Sequence, residues 1–539
     1  MKNSKFLPGL LSLILMILLN ACGEKQSNKQ PNIILIMADD MGYSDLGCYG
    51  SEIQTPNLDA LAIEGLRFTH FYNAARCCPS RASLLTGVYP HQAGMGAMIR
   101  RNVKDDPRPG SYQGYLSYNT VTIAEVLKEA GYYCSMSGKW HVGEEHPNWP
   151  MDRGFDNYYG LISGASNYFD ITRTKSEGVH RLFAKGNEEY RPPKEGFYIT
   201  DAITQHAIQT LEKTKNEKKP VFMYVAYTAP HWPLHALPED IVKYKERYNV
   251  GWDKLRNERY ARMQKMGLID SSMDLSPRDP KIPSWEDAEN KELMALKMAV
   301  YAAQIDRLDQ GIGKIIQKLK ENGKYENTLI MFLSDNGGCA ETGVYGTNFW
   351  KNDIEPGTVD AYQSYGRGWA NVSNTPFRYY KQWVHEGGIS TPFIVNWPKV
   401  IKEKGGILTD QGFITDIMAT ILDVSGATYP QSYKGNNIIP LQGISLAPVL
   451  KGKKREGHNY LFWEHMGNMA VMKENWKLVS QRKEGDGEWA LYNLENDRAE
   501  LFDLSQEKPE IAKELLTAYK DWAIKMQLNK EVKDEFILE

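Results

Sequence analysis

The sequence has little excess charge, little cysteine and few long apolar segments. Its 64 Lys and Arg residues face 67 Asp and Glu residues, and the formal net charge of −3 argues against a strongly basic nucleic-acid-binding protein. Beyond the N-terminus, no segment approaches the roughly 18 consecutive apolar residues of a membrane span. No internal repeat or low-complexity tract is present, which argues against a solenoid or a fibrous protein. With 539 residues, of which 42% are hydrophobic, the chain can bury a large core without disulfides.

The cysteines do not have the pattern of a complete disulfide framework or of a zinc site. Without Cys22 an odd number of cysteines remains: Cys48, Cys77, Cys78, Cys134 and Cys339. They cannot all pair with one another, so at least one thiol stays outside any disulfide between them. No pair has the spacing of zinc ligands. A bridge between the adjacent Cys77 and Cys78 would be strained.

The N-terminus has the pattern of a processing signal. Lys2 and Lys5 precede an apolar stretch over residues 6–19 that is too short to span a bilayer. The following Leu19-Asn20-Ala21-Cys22 resembles the bacterial lipobox. We therefore expect a lipoprotein signal peptide over residues 1–21, lipid on Cys22 and a polar tether over 22–31. The protein would be exported and attached to a membrane only through this lipid, in the periplasm or on the cell surface. The alternative is a secretory signal cleaved after Ala21.

The pattern after residue 31 predicts an α/β fold with a large, mostly parallel sheet flanked by helices. Short apolar runs predict strands at residues 33–37, 132–136, 221–225, 329–333 and 393–395. Helices are predicted after Thr55-Pro56, after a capping box of Thr122 and Glu125, and over residues 285–320. A charged link then separates a first domain, 32–450, from a smaller C-terminal α+β domain, 457–539, with four short strands and a final helix after Pro509.

Polar side chains follow four of the predicted strands. In open α/β sheets the ligand site lies beyond the carboxyl ends of the strands, so these side chains are candidates for one site. They are Asp39, Asp40, Lys139, His141, His231, Asp335 and Asn336. The acids and the amide offer only oxygen ligands, which suit Ca²⁺ or Mg²⁺ better than zinc. We expect Ca²⁺, with Mg²⁺ as the less favoured ion.

The most specific motif covers residues 77–87, Cys-Cys-Pro-Ser-Arg-Ala-Ser-Leu-Leu-Thr-Gly. It resembles the signature of formylglycine-dependent sulfatases, in which the first cysteine is oxidised after translation to formylglycine. Further blocks resemble the same family, over roughly residues 32–398: Gly138-Lys139-Trp140-His141, Ala229-Pro230-His231, Ser334-Asp335-Asn336-Gly337, and Lys381 ahead of Glu386-Gly387-Gly388. The chain is similar to bacterial arylsulfatases of the alkaline phosphatase superfamily.

This resemblance implies a role for each matching residue. A maturation enzyme would convert Cys77 to formylglycine, whose hydrate attacks sulfur and also faces the metal. Asp335 would act as base and would bind the cation together with Asp39, Asp40 and Asn336. Arg81 and Lys139 would orient the hydrate, and Lys381 would face the sulfate. The resemblance makes His231 the acid for the leaving alcohol and His141 the base for sulfate release, and the two roles are open to exchange.

The predicted activity is hydrolysis of sulfate monoesters, on a carbohydrate in nature and on small aryl sulfates as surrogates. One alternative is a phosphonate or phosphate monoester hydrolase of the same superfamily. Another is a glycan-binding lipoprotein without turnover. Candidates for the substrate entrance are Trp232, His235, Tyr112, Arg100, Arg101 and Asn167.

Overall fold

A computed structural model describes residues 30–99, 110–174, 179–347, 354–482 and 484–528 of the chain. The predicted signal peptide, Cys22, most of the tether, and Arg100 and Arg101 lie outside these residues. No helix within them is both long and apolar enough to cross a membrane.

A ten-stranded sheet forms the centre of the fold, in the order β11-β2-β10-β9-β1-β8-β4-β5-β6-β7. The strands are β1 (Asn32–Ala38), β2 (Leu66–Phe68), β4 (Tyr133–Gly138), β5 (Asn157–Leu161), β6 (Phe183–Lys185), β7 (Glu188–Glu189), β8 (Val221–Ala226), β9 (Thr328–Ser334), β10 (Phe393–Asn396) and β11 (Gly406–Leu408). The five strands from β9 to β5 run parallel. On either side of them the pairing becomes antiparallel, through β10 and through β6.

Both faces of this sheet are buried. Alternate residues of β1 enter different cores, with Ile33 and Leu35 on one face and Ile34 and Ile36 on the other. This follows from the two-residue period of a strand and explains why β1 is an unbroken apolar run. All five predicted strands are present, so the α/β prediction is confirmed.

The helices of the described residues pack around this sheet and around the smaller C-terminal sheet. They are α1 (Pro56–Glu64), α2 (Cys77–Thr86), α3 (Ile123–Glu129), α4 (Ile199–Lys213), α5 (Pro238–Ile241), α6 (Gly251–Lys265), α7 (Lys291–Glu321), α8 (Gly366–Ser373), α9 (Glu386–Ile389), α10 (Asp416–Ser425), α11 (Ala447–Leu450) and α12 (Pro509–Lys525). The capping box of Thr122 and Glu125 is confirmed. The long helix α7 begins at Lys291 and not near residue 285, because Asn290 adopts a left-handed conformation with φ 50°.

The C-terminal part contains a separate antiparallel sheet, in the order β15 (Leu461–His465), β16 (Asn468–Lys473), β17 (Trp476–Ser480) and β18 (Trp489–Asn493). Helix α12 packs on it through the buried Leu515, Tyr519 and Trp522. Two-stranded ladders join β3 (Phe71–Tyr72) to β12 (Gly412–Phe413) and β13 (Ser432–Tyr433) to β14 (Asn436–Asn437). The predicted α+β unit is therefore present, while the domain limits at 450 and 457 stay predictions.

Candidate active site

The candidate residues meet at the carboxyl ends of four neighbouring parallel strands. Asp39 and Asp40 follow β1, and Asp335 and Asn336 follow β9. Lys139 and His141 follow β4, and His231 lies in the loop after β8. Because β1 pairs with β8 and β9, and β4 pairs with β8, the ends of all four strands lie side by side.

Cys77 is the first residue of α2 and is only 1% exposed. Helix α2 ends at Gly87, whose φ of 68° is a left-handed conformation that glycine adopts without strain. The Cys77 thiol hydrogen-bonds with the His141 imidazole and lies 4.0 Å from Met98 Sδ. A hydrogen bond from Cys78, supported by the charge of Lys139, holds the pKa of Cys77 well below its usual value although burial opposes this. The five described cysteines are all buried and free.

Three carboxylates at the site are each paired with a buried cation. Lys139 Nζ lies 2.7 Å from Asp39 Oδ2, Arg81 Nη2 lies 2.7 Å from Asp335 Oδ2, and Lys381 Nζ lies 2.8 Å from Asp40 Oδ2. Arg81 also donates through Nε to Asp335 Oδ2 at 3.0 Å. A buried charge is costly unless it is paired, so these contacts fix the geometry of the whole cluster.

The cluster also has the donor set of a divalent cation site. Burial and the neighbouring Asp39 raise the pKa of Asp335 to about 7, and burial raises the pKa of Asp39. Asn336 Nδ2 donates to Asp40 Oδ1 at 2.7 Å, whereas Asn336 Oδ1 is buried without a hydrogen-bond donor. Crowded carboxylates and an unsatisfied amide oxygen fit a bound hard cation, with Asp39, Asp40, Asp335 and Asn336 as ligands.

The two histidines lie on different sides of the cluster. His231 Nδ1 donates to the Trp232 carbonyl oxygen at 2.5 Å, which leaves Nε2 facing Lys381 Nζ and Asp40 Oδ2, each at 3.4 Å. His141 lies beside Cys77. Burial lowers the pKa of both imidazoles to about 4, so both are neutral near pH 7 in this arrangement.

Three of the predicted entrance residues are structural, and the prediction was wrong for them. His235 is fully buried, and its Nε2 donates to the Ala361 carbonyl oxygen at 2.5 Å. Asn167 is fully buried and donates to the Val359 carbonyl oxygen. Tyr112 is 6% exposed and donates to Glu464. Each of these side chains satisfies the backbone or another buried group, whereas Trp232 is half-buried and lies beside His231.

The sequence reasoning missed Arg76 and Glu341, which lie just outside Lys381. Arg76 Nη2 and Glu341 Oε1 form an ion pair at 3.0 Å, and Glu341 Oε2 lies 3.7 Å from Lys381 Nζ. Arg76 directly precedes the motif, and that adjacency was the one available signal. Glu341 lies in a loop beyond the strand end, where the pattern gives no indication.

Comparison with known proteins identifies the family. The sulfatase family model matches residues 31–427. The chain belongs to the sulfatase family. A second model, of the C-terminal region of N-sulphoglucosamine sulphohydrolase, matches residues 377–527 of this sulfatase. The protein is thus a sulfuric ester hydrolase, as its motifs predicted.

Relatives and solved structures agree with this assignment. An uncharacterised sulfatase of Schizosaccharomyces pombe is 35% identical over 92% of this chain and 94% of its own. An arylsulfatase of Klebsiella aerogenes is 34% identical over 84% of this chain and 98% of its own. The crystal structure of Ps i-CgsB in complex with k-i-k-neocarrahexaose is 27% identical, with a TM-score of 0.67 and coverage of 92% and 93% of the two chains. The expected alkaline phosphatase-like sulfatase fold is therefore confirmed.

Proposed function

We propose that this sulfatase removes sulfate from a carbohydrate, using formylglycine made from Cys77 by a maturation enzyme and a divalent cation, Ca²⁺ before Mg²⁺. The observation that carries the proposal is the position of Cys77 at the start of α2, beside the cluster of oxygen ligands and lysines. Backbone N–H groups at a helix start favour an anion such as sulfate. Oxygen ligands on several separate segments suit the variable coordination of Ca²⁺.

Each group would supply a definite chemistry. A hydrated aldehyde at Cys77 would offer a hydroxyl nucleophile, and a bound divalent cation would supply Lewis-acid polarisation of the sulfate oxygens. Asp39, Asp40, Asp335 and Asn336 would hold the cation, and the modified Cys77 would face it. Asp335 Oδ2, fixed by Arg81, is the proposed acceptor of the nucleophile's proton. Lys139 and Lys381 would neutralise charge on the nucleophile and on the sulfate.

The histidines would move the remaining protons. In the neutral imidazole His231 Nε2 carries no proton and faces Lys381 Nζ, so it would first take up a proton there and then give it to the departing alcohol oxygen. His141 contacts the Cys77 side chain and is placed to take a proton from it during sulfate release. This division follows from which imidazole lies nearer Cys77 and which nearer Lys381.

A carbohydrate substrate is supported by the proteins that share this fold. One solved neighbour holds k-i-k-neocarrahexaose, and another, 22% identical with a TM-score of 0.58, holds D-glucosamine-2-N,6-O-disulfate. The second shows the fold alone, so the support comes from the first. Small aryl sulfates should serve as surrogates, as the arylsulfatase relative suggests.

Mass spectrometry of the peptide that contains Cys77, from active enzyme, tests the proposal. We expect the mass of an aldehyde or its hydrate, loss of turnover in Cys77→Ala with retained folding, and loss of activity on chelation that Ca²⁺ restores. An unmodified thiol in fully active enzyme would contradict the proposal. Inactivity with an unmodified thiol would favour a glycan-binding role, and faster release of phosphate than of sulfate from esters of one alcohol would favour a phosphatase.

We also propose that the protein is exported as a lipoprotein and held at a membrane through Cys22. The support is the lipobox-like segment before Cys22 and the polar residues that follow it. The lipid would place the site where extracellular sulfated glycans arrive.

A further inference from the structure

Glu341 lies near Lys381 of the catalytic cluster and accepts hydrogen bonds from four side chains that have no part in the proposed chemistry. We call Glu341 and these four the ring: Arg76, Trp232, Cys339 and Gln382. Glu341 Oε1 accepts hydrogen bonds from Arg76 Nη2 at 3.0 Å and from Gln382 Nε2 at 2.6 Å. Its Oε2 accepts from Trp232 Nε1 at 3.2 Å and from the Cys339 thiol at 3.4 Å. Four donors on one carboxylate hold it in a single orientation.

The exposure of these side chains shows which way the site opens. Lys381 Nζ lies between Asp40 Oδ2, at 2.8 Å, and Glu341 Oε2, at 3.7 Å. Side-chain exposure rises along this line, from 1% at Asp40 and 2% at Lys381 to 23% at Glu341. A sulfate held beside Lys381 would therefore have its alcohol portion at the level of Glu341.

Two apolar surfaces border the ring at this level. The Trp232 indole stacks on His231 with ring centroids 5.4 Å apart and also contacts the edge of Tyr362 at 5.9 Å. Met466, in the turn between β15 and β16, is 59% exposed, and Arg76 Nη1 lies 3.3 Å from its sulfur. An aromatic face and a thioether suit a flat apolar group such as an aryl ring or one face of a sugar.

The charges of the ring are already balanced within the described part of the chain. Arg76 is paired with Glu341, and Lys381 is paired with Asp40. Because carboxylates already neutralise Arg76 and Lys381, neither cation would compensate a second anionic group on the alcohol for its lost hydration. An uncharged alcohol carries no such cost.

We propose that Trp232, Met466 and Glu341 form the leaving-group subsite, and that it selects an uncharged alcohol over one that carries a second anionic group. Trp232 and Met466 contact the apolar face of the alcohol, while Glu341 fixes the indole and neutralises Arg76, so that this pair does not attract the additional charge. The inference rests on the proposed sulfate ester hydrolysis and narrows its substrate class to neutral sugars and aryl alcohols.

The charge of Glu341 is tested with a matched pair of esters, 4-nitrophenyl sulfate and 4-carboxyphenyl sulfate, by sulfate release. Glu341→Gln keeps the size of the side chain and removes its charge. We expect the kcat/KM of the carboxylated ester, relative to the neutral ester, to rise about fivefold. Glu212→Gln removes an exposed carboxylate on α4 and should leave the ratio unchanged. An unchanged ratio in Glu341→Gln, or an equal loss of kcat on both esters, would overturn the charge selection.

The stacking role has its own pair of variants. Trp232→Phe keeps an aromatic face, whereas Trp232→Ala removes it, so KM for 4-nitrophenyl sulfate should rise much more in the alanine variant. Met466→Ala should also raise KM with little change in kcat. Equal effects of Phe and Ala at residue 232 would refute the stacking role. If wild-type enzyme released no sulfate from either ester, the proposed function itself would fail, whereas activity with unaltered selectivity would refute only the subsite.

Discussion

At the scale of single residues, close packing against His141 leaves no space for a side chain at residue 164. A Cβ atom built on Gly164 would lie 2.2 Å from His141 Nε2 and 2.3 Å from its Cε1. We expect Gly164→Ala to displace the imidazole from Cys77 and to lower kcat at least tenfold, with the fold kept. Gly457→Ala is the matched control, because nothing lies within 4 Å of its Cβ position. Wild-type kcat in Gly164→Ala would show that the imidazole position is not needed.

A second histidine, His206, should contribute to the dependence of stability on pH. It lies on α4, contacts Ser137 Oγ at 2.7 Å and accepts from Asn157 Nδ2 at 3.0 Å. Burial lowers its pKa to about 4, so between pH 6.5 and 4 the unfolded state binds the extra proton. This contribution to stability is present above pH 6.5 and is lost as the pH falls towards 4.

The corresponding measurement is urea unfolding of wild type and His206→Asn at pH 7 and pH 5. We expect the advantage of wild type over the variant to shrink by about 1–2 kcal/mol between these pH values. Because the free energies of unfolding of the two proteins are subtracted at each pH, the contributions of the titrating groups that they share cancel. An advantage that stayed constant would mean that His206 keeps an ordinary pKa.

Most of the inner site could be predicted from the sequence, and its outer ring could not. Asp39, Asp335, Lys139 and His231 follow buried strands, and strand ends are visible as the limits of apolar runs. Glu341 lies in a loop, and its importance depends on contacts with residues as distant as Arg76, 265 positions away in the chain. Contacts between residues so far apart in the chain produce no periodic pattern in the sequence. The entrance predictions for His235 and Asn167 failed because polar loop residues also serve to satisfy buried backbone groups.

At the scale of elements, the start of α3 offers a direct test of local stabilisation. Thr122 Oγ1 accepts from Glu125 N at 3.1 Å and donates to the Arg153 carbonyl oxygen at 2.7 Å. Thr122→Ala removes both contacts and should lower the free energy of unfolding by about 1–2 kcal/mol. Thr122→Ser keeps the hydroxyl and should lie close to wild type in urea unfolding. If Thr122→Ser were as unstable as Thr122→Ala, the lost stability would come from the threonine methyl group and not from the capping hydroxyl.

Helix α6 shows why the hydrophobic pattern of a sequence can fail to predict a buried helix. Its composition is strongly polar, yet Arg256 and Arg259 are buried. Arg259 forms ion pairs with Asp45 at 2.7 Å and with Glu52 at 2.8 Å. An arginine that is buried by pairing cannot be told from a solvated one by hydrophobic periodicity.

At the scale of the whole molecule, the proposed anchor predicts that the folded part is independent of the lipid. Gln30 Nε2 donates to the Ser425 carbonyl oxygen at 2.8 Å, so Gln30 is attached to the folded part. A variant that starts at Gln30 should stay in solution without detergent and keep the kcat of the full-length protein. Partition between detergent and water, measured with activity, checks this. A truncated form that still required detergent would rule out Cys22 as the sole attachment.

The contact between Arg76 and Met466 can form only late in the synthesis of the chain. The two residues are 390 positions apart, so at 5–20 residues per second the ribosome needs roughly 20–80 s to make the second after the first. Until then the turn that carries Met466 does not exist, and neither Arg76 nor the Cys77 that follows it has its neighbours from the C-terminal sheet. Cys77 is only 1% exposed in the finished fold. We therefore expect the proposed oxidation of its thiol to take place before the C-terminal sheet docks, and a chain that folds before it meets the maturation enzyme to stay inactive.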